Sequence, residues 1–109
     1  MADLLSKDAY RELAGKLEFR NQAFINGKFR DAQSGKTFTT INPATGDVLA
    51  EIAACDSRDV DDAVAAAKEA FEDARWHSLS PSARKSVLLR FAQLLEDNSH
   101  ELALLESLD

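Results

Sequence analysis

Between Ala54 and Val60 the chain changes period, and this switch sets what it can fold into. Upstream, short apolar runs are broken by residues that favour turns; downstream, apolar residues recur at helical spacing. The chain therefore reads as short strands followed by helices. Upstream, Phe24-Ile-Asn-Gly-Lys-Phe29 places Asn-Gly between two apolar pairs. A type I′ turn needs positive φ at both central residues, which suits Asn-Gly, so a hairpin is predicted here. Ser34-Gly35 marks a second turn, and the Thr-rich segment with Phe38 and Ile41 has strand character. Pro43 ends that strand because it has no N–H for a ladder. Asn42 to Asp47 turn the chain, and Val48 to Ala54 form the next strand.

Downstream, Val60, Ala63, Val64, Ala67, Phe71 and Ala74 make one helical stripe. Asp56 or Ser57 can cap its start, and Asp59, Asp61 and Asp62 suit the positive end of the helix dipole. Trp76 is expected to plug the junction with the next helix. Ser80-Pro81 opens that helix, with Pro at the first helical position. Its predicted buried face is Val87, Leu88, Phe91, Leu94 and Leu95, with Arg84, Lys85 and Arg90 opposite. A third helix is predicted from Asn98, with Glu101 completing a capping box and a stripe of Leu102, Leu105 and Leu108. It reaches Asp109 without a stop signal and reads as interrupted. Ahead of the strands, Leu4, Leu5, Ala9, Leu13 and Leu17 predict an amphipathic helix over 2–17, weakened near its end by Gly15.

Apolar residues at 45% and charged residues at 29% are ordinary for a globular chain, which sets disorder aside. The net charge of −6, with the basic residues scattered, argues against nucleic acid and against an anionic membrane surface. No apolar run is long enough for a membrane span, and the N-terminal residues do not resemble a secretion signal. A single cysteine, Cys55, permits no internal disulfide and fits a reducing, cytoplasmic compartment.

The chemical inventory is thin. No glycine-rich phosphate loop is present. His77 and His100 stand at helix starts far apart in sequence and read as solvated residues. Cys55 has two readings: a thiolate activated by a helix N-terminus, or a small buried hydrophobe, which is favoured because no His is near in sequence. The Asp59, Asp61, Asp62 cluster reads as dipole complement rather than a cation site, because adjacent acids on a first turn point apart. Trp76 with Phe71 reads as packing rather than an aromatic cage. No catalytic and no coenzyme-binding residue is assigned.

Taken together, the segments resemble the N-terminal part of the aldehyde dehydrogenase family. They are Phe24 to Phe29, Ile41-Asn-Pro-Ala-Thr-Gly-Asp-Val-Leu-Ala-Glu-Ile52, Asp59-Val-Asp-Asp-Ala-Val-Ala-Ala-Ala-Lys-Glu-Ala-Phe71, Trp76, Arg84, the Leu88 to Leu95 helix and Glu101-Leu-Ala-Leu-Leu-Glu-Ser-Leu-Asp109. They stand in the family's order and spacing. The stretch from Trp76 to Lys85, with the Asp8-Ala-Tyr arm, resembles the γ-glutamyl-γ-aminobutyraldehyde and betaine aldehyde dehydrogenase branch. The resemblance implies an α/β fold: a helical arm over 1–22, then the N-terminal part of a coenzyme-binding domain over 23–109. In that part short antiparallel strands over 23–55 precede three helices over 57–109, incomplete without the Rossmann-type coenzyme domain.

The resemblance also implies the chemistry. Such enzymes oxidise an aldehyde to a carboxylic acid with NAD or NADP. A Cys thiolate attacks the carbonyl, hydride passes to the nicotinamide, and a Glu-activated water releases the acid. All those groups lie beyond Asp109 in the family, and Cys55 does not match the nucleophile's motif. The chain alone is therefore expected to be inactive. A structural sodium or potassium ion is implied, held by backbone carbonyls of Thr40 and Ile41 and by Asp109; the competing reading is a strand end and a solvated acid. The parent protein is expected to be a homo-oligomer acting on an aldehyde. The alternatives are a non-catalytic helical interaction module related to the family, and a small-molecule binding protein that would report ligand through Trp76.

Overall fold

The structure, a computed structural model, describes residues 3–109. Its elements run α1 (Lys7–Lys16), β1 (Ala23–Ile25), β2 (Lys28–Arg30), β3 (Thr37–Ile41), β4 (Val48–Ala53), α2 (Ser57–Glu72), α3 (Pro81–Asp97) and α4 (Ser99–Leu108). Strands precede the three main helices, as the change of period predicts. The strands form two sheets, β1 with β2 and β3 with β4.

Each turn has a local cause. Asn26 and Gly27 have φ of 52° and 73°, the pair of positive values that a type I′ turn demands. The strands it joins are antiparallel, with Phe24 opposite Phe29 and Ile25 opposite Lys28. After β3, the Asn42 side chain accepts from Ala44 N–H at 2.9 Å, while its backbone carbonyl accepts from Gly46 N–H at 2.7 Å. Asn42 N–H then donates to the Asp47 carbonyl at 2.8 Å, closing the connection to β4.

The chain divides into two compact units. One comprises Arg20–Thr40 and Ala50–Ser80. Within it, the β1–β2 hairpin packs on α2, and Ala53 and Ala54 donate backbone bonds of 2.8 Å to Asn21 and Lys36. The other comprises the residues up to Phe19, Ile41–Leu49 and Pro81–Asp109, and in it both α1 and α3 pack on α4.

Neither unit closes an apolar interior. Among the described residues, Ala32 is the buried hydrophobe. The α2 stripe of Val60, Val64 and Phe71 faces outward, with Phe71 71% exposed, and on α3 Val87, Leu88, Phe91, Leu94 and Leu95 are exposed as well. These are the uncovered faces expected of strands and helices that belong to a larger assembly.

Several local expectations are corrected. The arm helix begins at Lys7, not at residue 2, because Ser6 caps it by accepting from Ala9 N–H at 3.2 Å. Leu4 and Leu5 precede the cap and are exposed; residues 1 and 2 of the arm lie outside the described residues. Trp76 does not plug a junction but sits 42% exposed in the loop after α2. The capping box at α4 does not form: Asn98 makes no side-chain cap, and its amide instead donates back to the Leu94 carbonyl at 2.8 Å. Cys55 is exposed rather than buried.

Candidate functional site

The most enclosed polar group is a carboxylate, Asp59, only 1% exposed. It stands at the third position of α2, one turn from the N-cap Asp56. Asp56 accepts from Arg58 N–H at 2.9 Å, and Asp59 Oδ2 accepts from Asp56 N–H at 3.0 Å. The two acids thus satisfy two helix-start donors reciprocally, a capping box built from aspartates. Asp59 Oδ1 accepts from Gln33 N–H at 3.0 Å and lies 3.5 Å from Arg30 Nη2. One carboxylate therefore ties the end of β2, the loop after it and the start of α2 to a common point.

Asp62, one turn further along, completes the arrangement. Its Oδ2 accepts from Arg30 Nη2 at 2.7 Å and from Gln33 Nε2 at 2.6 Å. The hydrogen bond to Asp62 leads in raising Arg30 above the ordinary arginine value. The same bond, opposed by partial burial, holds Asp62 below the usual carboxylate range. Asp56 is likewise held low, first by the side-chain bond from Arg58. Arg30 Nε is buried with no partner among the described residues.

This cluster braces and does not react. Its acids are committed to N–H donors and a guanidinium, so none is poised as a base. The cavity beside it, about 450 Å³ with Phe29, Arg30 and Glu69 in its lining, is open to solvent and cannot exclude water from a reaction. The histidines are engaged elsewhere. His77 Nε2 lies 3.0 Å from the Phe71 carbonyl. His100 Nδ1 shares a 3.0 Å hydrogen bond with the Tyr10 hydroxyl, so it is not the solvated helix-end residue expected. Gly27, Gly35 and Gly46 all have positive φ and serve turns, while Gly15 lies within α1. No group of three metal-ligating side chains stands together among the described residues.

The positions implied for a monovalent cation are distributed as follows. Thr40 is a half-buried residue of β3 and Ile41 is that strand's exposed last residue. Asp109 follows α4, its N–H donating to the Leu105 carbonyl at 3.1 Å. Thr40 belongs to one compact unit, Ile41 and Asp109 to the other.

Sequence reasoning missed Arg30, Gln33 and the burial of Asp59. The signal was available: Asp56 followed three residues later by Asp59 is a capping-box spacing. Charge complementing the helix dipole predicts solvated acids instead. The Tyr10–His100 pair carries no local signal, since 90 residues separate the partners.

Comparison with known proteins places these features. The pattern of the aldehyde dehydrogenase family matches residues 29–109. Aminoacetaldehyde dehydrogenase of Pseudomonas aeruginosa is 54% identical over 109 residues, covering 100% of this chain and 22% of that protein. Aldehyde dehydrogenase 1 of Tanacetum cinerariifolium is 50% identical over 99 residues, covering 91% of this chain and 20% of that one. Among solved structures, γ-glutamyl-γ-aminobutyraldehyde dehydrogenase from Burkholderia cenocepacia superposes with a TM-score of 0.92 at 46% identity, over 95% of this chain and 21% of the other. An indole-3-acetaldehyde dehydrogenase complexed with NAD+ gives a TM-score of 0.92 at 43% identity, over 96% and 21%. The chain thus spans about a fifth of the length of these relatives.

Proposed function

Because this chain belongs to the aldehyde dehydrogenase family, we propose that it forms the N-terminal scaffold of an NAD(P)-dependent enzyme that oxidises an aldehyde to a carboxylic acid. The observation that carries this reading is the agreement of sequence and backbone with aldehyde dehydrogenases along nearly the whole chain. The uncovered stripes on α2 and α3 support it, since they present ready apolar faces to a coenzyme domain contributed by further polypeptide. The scaffold's part is geometric: the Arg30–Asp59–Asp62 brace fixes the hairpin on α2, and the outer faces of the helices are left for docking.

The substrate class we propose is an aldehyde carrying an amino or acylamino group, as in the names of the aminoacetaldehyde and γ-glutamyl-γ-aminobutyraldehyde relatives. NAD is the proposed coenzyme, as in the complexed relative, and its contacts come from outside this chain, whose glycines offer no phosphate cradle. A cytoplasmic homo-oligomer is the proposed setting. Mixing full-length protein, an aldehyde of this class and NAD+ should produce NADH absorbance, and the 109 residues alone should produce none. NADH from the 109 residues would overturn the scaffold reading; a full-length protein inert with every aldehyde class would overturn the enzyme reading.

We also propose that Thr40, Ile41 and Asp109 contribute to a sodium or potassium site. Backbone carbonyls with one carboxylate suit a weakly hydrated monovalent ion. Exchanging sodium or potassium for choline should lower the thermal midpoint of the full-length protein, and Asp109→Asn should remove most of that dependence. A midpoint indifferent to the cation would discard the site.

A further inference from the structure

Of the chain's four asparagines, Asn21, Asn26, Asn42 and Asn98, one stands apart. An asparagine cyclises when the backbone nitrogen of the next residue attacks its side-chain carbonyl, so the next residue decides how readily the ring closes. Asn42 precedes Pro43, whose ring nitrogen has no proton to give up, and its side-chain oxygen accepts from Ala44 N–H at 2.9 Å. Asn98 precedes Ser99 at the start of α4, and its amide donates to the Leu94 carbonyl at 2.8 Å. Asn21 precedes Gln22, whose side chain crowds the nitrogen, and the Asn21 carbonyl is held by Ala53 N–H at 2.8 Å. Asn26 alone precedes a glycine. Both residues are exposed at the hairpin tip, and a Cβ at Gly27 would meet nothing within 4 Å, so the space beside that nitrogen is open. These differences lie in the following residue and in local hydrogen bonds, not in what covers the outer faces of the helices.

We propose that Asn26 is a self-modification site: with water as co-reactant it loses ammonia to give aspartate or isoaspartate, and the isoaspartate form loosens the β1–β2 hairpin. The Gly27 nitrogen gives up its proton and bonds to Asn26 Cγ, the Cγ–Nδ2 bond breaks, and ammonia leaves a five-membered succinimide. Water then opens that ring, and nothing is oxidised or reduced. Opening at Cγ gives aspartate, which adds a negative charge but keeps the turn, because Asp-Gly serves a type I′ turn as Asn-Gly does. Opening at the backbone carbonyl gives isoaspartate, which routes the chain through the side chain and inserts a methylene. A two-residue turn has no slack for it, so Phe24 opposite Phe29 and Ile25 opposite Lys28 cannot both keep their register.

Peptide mass spectrometry on full-length protein, held warm at mildly alkaline pH, reads the exchange of NH2 for OH at each asparagine. Asn26 should convert roughly tenfold faster than Asn21, Asn42 or Asn98, the mark of a barrier about 1.4 kcal/mol lower. Gly27→Ala restores a side chain beside the nitrogen and should slow conversion, although its strain at positive φ would by itself open the turn and speed it. Hydrogen exchange of the β1 and β2 amides should quicken in protein enriched in isoaspartate and stay near the unaltered rate in Asn26→Asp, which carries the charge without the methylene. Asn26 still intact after Asn21 or Asn98 has converted would overturn the proposal, as would Gly27→Ala converting as fast as the unaltered protein. Unchanged hairpin exchange in the isoaspartate form would overturn its effect on the fold.

Discussion

Asp59 combines near-complete burial with three donors directed at its two oxygens, from Gln33 N–H, Asp56 N–H and Arg30 Nη2. Removing it leaves two part-buried backbone donors without their carboxylate, each worth up to about 1–3 kcal/mol where water does not replace the partner. Asp59→Ala should therefore destabilise the hairpin–α2 unit by about 1–2 kcal/mol, read as a fall in urea midpoint at constant slope. Asp59→Asn should not rescue it, because its amide nitrogen would confront an N–H. A midpoint unchanged in Asp59→Ala would show that the acid does not brace the unit. Asp62 contributes to the acid side, together with Asp56 and Asp73, which are also held low by arginine hydrogen bonds. The native value of Asp62 lies below the usual carboxylate range, so the folded state binds fewer protons than the unfolded one. Its contribution is then complete above that range and is lost as pH falls through the depressed native value. Stability should decline below about pH 4, and Asp62→Asn should make that decline shallower by its own share. An identical acid limb in both proteins would count against the Arg30–Asp62 pair as its source.

Local chemistry made the elements readable, and tertiary partners made their ends and exposures hard to read. Asn26-Gly27 announced its hairpin because positive φ at two successive residues leaves few alternatives. Asn42-Pro43 ended β3 for an equally local reason. The start of α1 was lost because Leu4 and Leu5 continue a plausible stripe, while the signal that counts is one hydroxyl, Ser6 Oγ on Ala9 N–H. At α4 the capping-box residues were present, yet Asn98 spends its amide on Leu94, a competition that spacing does not reveal. The glycines give opposite tests of this element-level reading. Gly27 has open space around a Cβ but a φ of +73°, so Gly27→Ala should weaken the hairpin by about 1 kcal/mol through strain alone. Gly15 also has open space and sits in a helix, so Gly15→Ala should stabilise α1 by up to about 1 kcal/mol. Hydrogen exchange of α1 slowing in Gly15→Ala, and of β1–β2 quickening in Gly27→Ala, is the expected pair; the same sign for both would refute the backbone explanation.

At the scale of the whole molecule, apolar surface has been placed where this chain cannot cover it. Val60, Val64 and Phe71 on α2, and Val87, Leu88, Phe91, Leu94 and Leu95 on α3, keep the spacing of buried stripes while remaining exposed. Burying one such side chain is worth on the order of 1.5–3 kcal/mol, so a pair of these faces left in water forgoes more than the usual net stability of a small domain. The two-stranded sheets add unpaired edges. The net charge of −6 opposes association but is spread over the chain, and salt screens it within about 8–10 Å. The 109-residue chain in physiological salt should therefore self-associate and bind a hydrophobic dye. In the full-length protein the same dye should find little, because the faces are occupied. Light scattering across a concentration series, with dye fluorescence in parallel, separates the outcomes. Particles growing with concentration and strong fluorescence are expected for the 109 residues. A monodisperse, dye-silent, cooperatively unfolding 109-mer would mean that these helices satisfy each other after all, and the scaffold reading would have to give way to a free-standing module.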